Sequence, residues 1–157
     1  MQVVYLAPAI PPTNRGIILS LAIEFEYDFQ LYMLAILRKI NPEISEVEFG
    51  KDGIFVDPNM LSSLAKCLNL AEVLGMLSQD EQHDIRKFVK LRNMYAHGRD
   101  RTDIKDDERA KAVLYSMKIY ANSKQRLDSM NAGDALFCCV NFLSVVIKEK
   151  RLKAEGQ

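Results

Sequence analysis

Six consecutive residues, Arg92-Asn93-Met94-Tyr95-Ala96-His97, followed by Gly98, carry the side chains best suited to chemistry in this sequence. A guanidinium stays charged throughout the physiological pH range and holds two phosphate oxygens at once. An imidazole titrates near neutrality and moves a proton in either direction. Cleavage of RNA by attack of a neighbouring 2′-hydroxyl on phosphorus needs those two abilities, to transfer the proton and to stabilise the negatively charged phosphorane. It needs no metal and no cofactor. Arg92 and His97 are therefore the candidate catalytic pair. Asn93 is the third candidate, able to orient either side chain or to bond the ribose, and Tyr95 is a candidate for stacking on a base.

The residues around the motif favour a phosphate backbone. Lys87, Lys90, Arg99 and Arg101, with Arg86, flank it, and Asp100 is the only acid among them. The whole chain balances 21 Lys and Arg against 21 Asp and Glu, so this basicity is local. RNA is the partner it suits. Glu24 lies among core-directed residues and is the candidate support for Arg92, by ion pairing. A plainer reading stands beside these. An Arg and a His near a helix C-terminus also serve as cap and dipole partners without any chemistry, and His83, among Asp80, Glu81 and Asp84, reads as part of a solvated face.

Other chemistries lack their signatures. There is no G-x-S-x-G, no Walker-type Gly-Lys loop and no G-x-G-x-x-G. No cluster of Cys, His, Asp and Glu at ligand spacing accompanies His83 or His97, so no metal site is expected. Cys67, Cys138 and Cys139 are odd in number, and an adjacent pair makes a poor disulfide, which suggests buried thiols in a reducing compartment. Residues 1–10 have no cationic start, and Pro8, Pro11 and Pro12 interrupt the region, unlike a secretory signal. The apolar run from Ala135 to Ile147 is too short to span a bilayer. The expectation is a cytoplasmic protein with no membrane contact.

The elements that must position the pair are helical. With 157 residues and 48% hydrophobic residues the chain suits one domain over 1–157. After an extended segment at 1–13, Thr13 or Asn14 caps a helix through Ile17, Leu21, Phe25, Phe29, Tyr32, Ile36 and Ile40, ended by Pro42. Residues 42–59 form an irregular insertion, with a loop or small hairpin about Gly50-Lys51-Asp52-Gly53. A second helix carries Met60, Leu61, Leu64, Leu68, Ala71 and Leu74, with Gly75 near its end. Ser78-Gln79-Asp80-Glu81 is a capping box that opens a third, which Gly98 stops. Asp103 or Asp106 caps a fourth through Tyr120. Asn131 caps a fifth to about Lys153, whose closing Lys and Arg residues read as a solvated tail. The fold class is all-α, an up-and-down bundle of about five helices.

The third helix sets a condition on the chemistry. Residues five apart on a continuous helix point about 140° away from each other. Arg92 and His97 share a side within one chain only if the helix ends at about Ala96 and Gly98 takes the left-handed conformation, freeing His97 to swing.

The segment Leu91-Arg92-Asn93-Met94-Tyr95-Ala96-His97-Gly98 resembles the R-x4-6-H motif of the HEPN superfamily, helical-bundle domains found in RNases, toxins and defence proteins. Asn93, a polar residue directly after the Arg, is similar to the form in members that cleave RNA. Residues 61–120 also resemble the mannitol operon repressor-like branch, through Leu61-Ser62-Ser63-Leu64-Ala65-Lys66, Leu74-Gly75-Met76-Leu77 and the Arg-Asn-x-x-Ala-His run. Leu21-Ala22-Ile23-Glu24 is similar to that branch's first helix. The resemblance implies that two copies of the motif face each other across a dimer and cut RNA without metal. Arg92 would stabilise the phosphorane, His97 would be general acid or base, and Asn93 would tune the site. One motif per chain implies a homodimer through the face bearing Arg92 and His97, or pairing with another HEPN protein, with an antitoxin or regulatory protein as a further partner. The repressor-like branch implies the alternative, a non-catalytic transcriptional regulator acting through protein partners. Ala71 and Gly75 have helix-turn-helix spacing, but Glu81 stands where that motif needs a buried apolar residue, so reading of a major groove is not expected.

Overall fold

The computed structural model describes residues 14–44, 63–97 and 103–157. Among them are seven α-helices and no strand, an all-α up-and-down bundle. The 1–13 segment, the bulk of the 42–59 insertion with the loop or small hairpin expected about Gly50–Gly53, and Met60, Leu61, Gly98, Arg99 and Arg101 lie outside the described residues.

Helix α1 spans Asn14–Ile40 and buries Ile18, Ala22, Phe25, Phe29, Tyr32 and Met33 at spacings of three and four, a stripe that keeps Phe25, Phe29 and Tyr32 of the expected one but leaves Ile17 and Ile36 half-buried and Ile40 exposed. Pro42 disfavours helical geometry at Asn41, and the Asn41 amide closes the last turn on the Leu37 carbonyl at 2.8 Å. Helix α2, Leu64–Val73, starts under a Ser63 side chain that accepts from the Lys66 amide. It ends in a Schellman motif: the Met76 amide donates to the Ala71 carbonyl at 3.0 Å and the Gly75 amide to the Glu72 carbonyl at 3.2 Å. Gly75 takes φ +65°, where a side chain would be strained.

Helix α3, Gln79–His97, opens with the expected capping box: the Ser78 amide donates to the Glu81 carboxylate at 2.8 Å, and the Glu81 amide to the Ser78 hydroxyl at 3.2 Å. It runs antiparallel to α1. Phe25 and Phe88 meet edge to face at 5.6 Å, and the Tyr32 hydroxyl donates to the Met76 carbonyl at 3.0 Å near the other end.

The expected fourth helix is several pieces. A 3-10 turn, Ile104–Asp106, is capped by Asp103, and α4, Glu108–Tyr115, by Asp107, whose carboxylate accepts from the Arg109 and Ala110 amides. The helix stops at Ser116, whose hydroxyl bonds back to the Val113 carbonyl at 2.6 Å, while Met117 turns fully into the core. Two short helices follow, α5, Lys118–Asn122, and α6, Lys124–Leu127.

Helix α7, Ala132–Ala154, is capped by Asn131 as its sequence indicates, the Asp134 amide donating to the Asn131 side chain at 2.9 Å. It lies parallel to α1, with Lys148 3.5 Å from Asp28. Its basic end is no loose tail: it is helical, and Lys150 pairs with Glu81 at 3.2 Å, tying α7 to the start of α3.

Candidate functional site

The candidate site is built on the second half of α3, whose buried side carries Ile85, Phe88, Leu91 and Tyr95. Packing of that side against α1 fixes which residues face outward. Arg86, Lys90, Asn93 and His97 are all exposed, at spacings of four, three and four, and so form one continuous stripe. Asn93 and His97 stand one turn apart, about 40° around the axis.

The helix runs to His97, within a residue of the stop expected at about Ala96, and the left-handed turn expected at Gly98 lies outside the described residues. Helical spacing therefore holds Arg92 about 140° from His97, and no swing at Ala96 brings them together. A different contact draws Arg92 toward the stripe. Its Nη1 donates to the Asn93 Oδ1 at 3.0 Å, so the guanidinium of a half-buried residue rests on the carboxamide of an exposed one.

Behind Arg92 stands Glu26, not Glu24. Glu24 is exposed, which corrects the expectation that it faces the core and supports Arg92. On a wheel centred on Ile18, Phe25 and Phe29, Glu24 lies about 120° from the buried stripe and Glu26 only about 80°. Burial pushes the Glu26 carboxyl above its ordinary range, while the Arg92 charge and a backbone hydrogen bond at Leu64 pull it down. Glu26 thereby links α1, the start of α2 and Arg92. Cys67 lies in the same region, and burial, reinforced by the Glu26 charge, pushes its thiol up to about 12. It is a neutral packing residue, not a nucleophile.

Tyr95 is only 4% exposed and belongs to the core, so it offers no face on which a base could stack. That corrects its assignment as an RNA-binding residue: its place on the Ile85–Phe88–Leu91 side buries the ring. Lys90 is on the outward stripe, and Lys87, about 120° from Asn93 around the axis, is off it. Arg86 is on the stripe but engaged, its Nε donating to Glu72 on α2 at 2.8 Å.

Asp84 reads as a wet-face residue by sequence, yet it is 3% exposed. Its carboxylate accepts from the Lys118 amide at 2.6 Å and the Ile119 amide at 2.8 Å, capping α5 from across the bundle. His83 Nδ1 lies 3.2 Å from the same carboxylate.

A cleft of about 350 Å³ opens between α2 and α3, lined by Ala65 and Leu68 on one side and by Arg86, Val89, Lys90, Asn93 and Met94 on the other. Among the described residues no group of three or more His, Cys, Asp or Glu is placed to hold a metal ion, and no helix is long and apolar enough to cross a membrane.

Compared with known proteins, the chain matches no family model, no curated protein and no solved structure.

Proposed function

We propose that this protein is a metal-independent endoribonuclease of the HEPN type, toxin-like or defence-linked, with a composite site shared by two copies of the chain. The supporting observation is the Arg92 guanidinium resting on Asn93 Oδ1 at 3.0 Å, with exposed His97 one turn further along the same stripe. Because a continuous helix separates Arg92 from His97 in one chain, two α3 ends brought together are what would supply both groups to one phosphate.

The reaction is a transesterification. The 2′-oxygen attacks phosphorus, the 2′-hydroxyl proton passes to one imidazole, the bond to the 5′-oxygen breaks, and the second imidazole protonates that oxygen. The products are a 2′,3′-cyclic phosphate and a 5′-hydroxyl. Arg92 holds the phosphoryl oxygens as negative charge builds on them, and Asn93 sets its direction. The test is incubation of the protein with RNA in chelator. Cyclic-phosphate ends are expected, and His97→Ala should abolish them; absence of cleavage by concentrated wild-type protein would remove the reading.

The runner-up, a non-catalytic regulator working through protein partners, is favoured by one other observation. Phe142 and Val145 on α7, about 60° apart around its axis, are 58 and 52% exposed, an apolar surface of the kind that docks proteins. On that reading His97→Ala leaves function intact and Phe142→Glu destroys it.

A further inference from the structure

We propose that the cleft between α2 and α3 is a subsite for a single nucleobase of the RNA strand, gripping the nucleotide next to the one cleaved; the inference rests on the ribonuclease reading of the adjoining stripe.

Size and shape select the occupant. At about 350 Å³ the cleft sits near the low end of small-ligand sites, which run from about 300 to 1,000 Å³. That suits one planar ring system and is too small for a peptide helix. Leu68 of α2, 1% exposed, closes the floor, half-buried Val89 and Met94 of α3 form an apolar wall, and the small side chain of Ala65 leaves the mouth open. An apolar wall and floor between two helices take one face of a base.

The rim supplies the polar half of a nucleotide's chemistry. Lys90 is exposed at the rim of the cleft, where its ammonium suits a phosphate. Arg86 is held by Glu72 and acts as a wall without a spare charge. Asn93 uses its Oδ1 to hold Arg92, and its amide N–H groups remain as donors for an acceptor on a base edge. Asn93 lies one helical turn, about 6 Å along the axis, before His97. A base seated against Asn93 and Met94 thus keeps its ribose beside the proposed proton-transfer group. The cleft takes over the base-gripping role that buried Tyr95 cannot fill.

The test is a methyl NMR titration of the full chain with each of the four nucleoside 3′-monophosphates, with ribose 5-phosphate as control. Saturable shifts at Ala65, Leu68, Val89 and Met94 are expected with nucleotides and not with ribose phosphate. They should vanish in Ala65→Trp, which fills the slot from an exposed position, and weaken in Lys90→Gln, which leaves the slot open. In cleavage of RNAs differing in one base, Ala65→Trp should change the preference among bases by about tenfold, the scale on which an apolar pocket discriminates. Equal shifts with ribose phosphate, shifts that persist in Ala65→Trp, or none at the methyls of these four residues each overturn the subsite. Failure of the ribonuclease reading looks different: nucleotides shift those methyls while wild-type protein cuts no RNA. Cleavage without base preference and without methyl shifts sinks the subsite alone.

Discussion

The guanidinium of Arg92 is held by its sequence neighbour Asn93, Nη1 to Oδ1 at 3.0 Å, and so leans toward the exposed face of α3 that ends at His97. Adjacent helical residues diverge by about 100°, so without this bond the long Arg side chain would be drawn to Glu26 alone. The polar residue after the arginine therefore has a mechanical job, which can be tested apart from any role in binding RNA.

Asn93→Ala should lower RNA cleavage about tenfold, the equivalent of one ordinary hydrogen bond of about 1.4 kcal/mol lost from the transition state. Because Asn93 is exposed, thermal unfolding should barely move. A variant with full activity would show that Arg92 needs no such tether.

Asp84→Ala should be far more damaging to the fold than to surface chemistry. It removes a buried carboxylate that accepts two backbone amides at the start of α5. The expected loss, read from urea unfolding, is about 2–4 kcal/mol. The Lys118 and Ile119 amides should exchange with solvent much faster, and unchanged exchange there would contradict the cap.

Glu26 ties stability to pH with a definite sign. Its folded-state pKa is raised above the ordinary 4.5, mainly by burial. The folded protein thus holds the proton more tightly than the unfolded chain. Its contribution is fully present below about pH 4.5 and is lost as pH rises through the folded value. Glu26→Gln, permanently neutral, should match wild type in acid and be at least as stable at pH 7. If denaturation shows Glu26→Gln to be the weaker protein at pH 7, attraction to Arg92 outweighs burial.

The thiols should separate by reactivity. Burial raises Cys67 and Cys139 from the ordinary 9 to about 12, so both stay neutral at pH 8, and their stabilising effect fades only as pH climbs from about 9 through about 12. Cys138 is half-buried, 3.8 Å from the Met130 sulfur. Alkylation followed by mass spectrometry should mark Cys138 first. Early labelling of Cys67 would mean that the junction of α1 and α2 opens.

Local rules made much of the bundle legible. The Ser78-x-x-Glu81 box, the Asn131 cap, Gly75 and Pro42 act within four or five residues of themselves, and each begins or ends a helix where its chemistry dictates. The stripe of α1 was equally open to reading, and applying its wheel to the acids would have preferred Glu26 to Glu24. Asp84 gave no such signal, because its partners are 34 and 35 residues away. The same holds for the break at Ser116–Met117, where the apolar pattern runs on but the buried carboxylate of another helix rewards a fresh N-terminus.

The sequence by itself determined the helical class and the helix starts and stops that depend on nearest neighbours, and it offered the Arg92-Asn93/His97 cluster as the candidate for phosphate chemistry. Tertiary structure decided what faces outward: it buried Tyr95, exposed Glu24, and set Lys90, Asn93 and His97 on one stripe beside a cleft. The reason is physical. Caps and turns satisfy backbone groups over a few residues, whereas burial and long-range pairing exist only once helices distant in the chain have packed together.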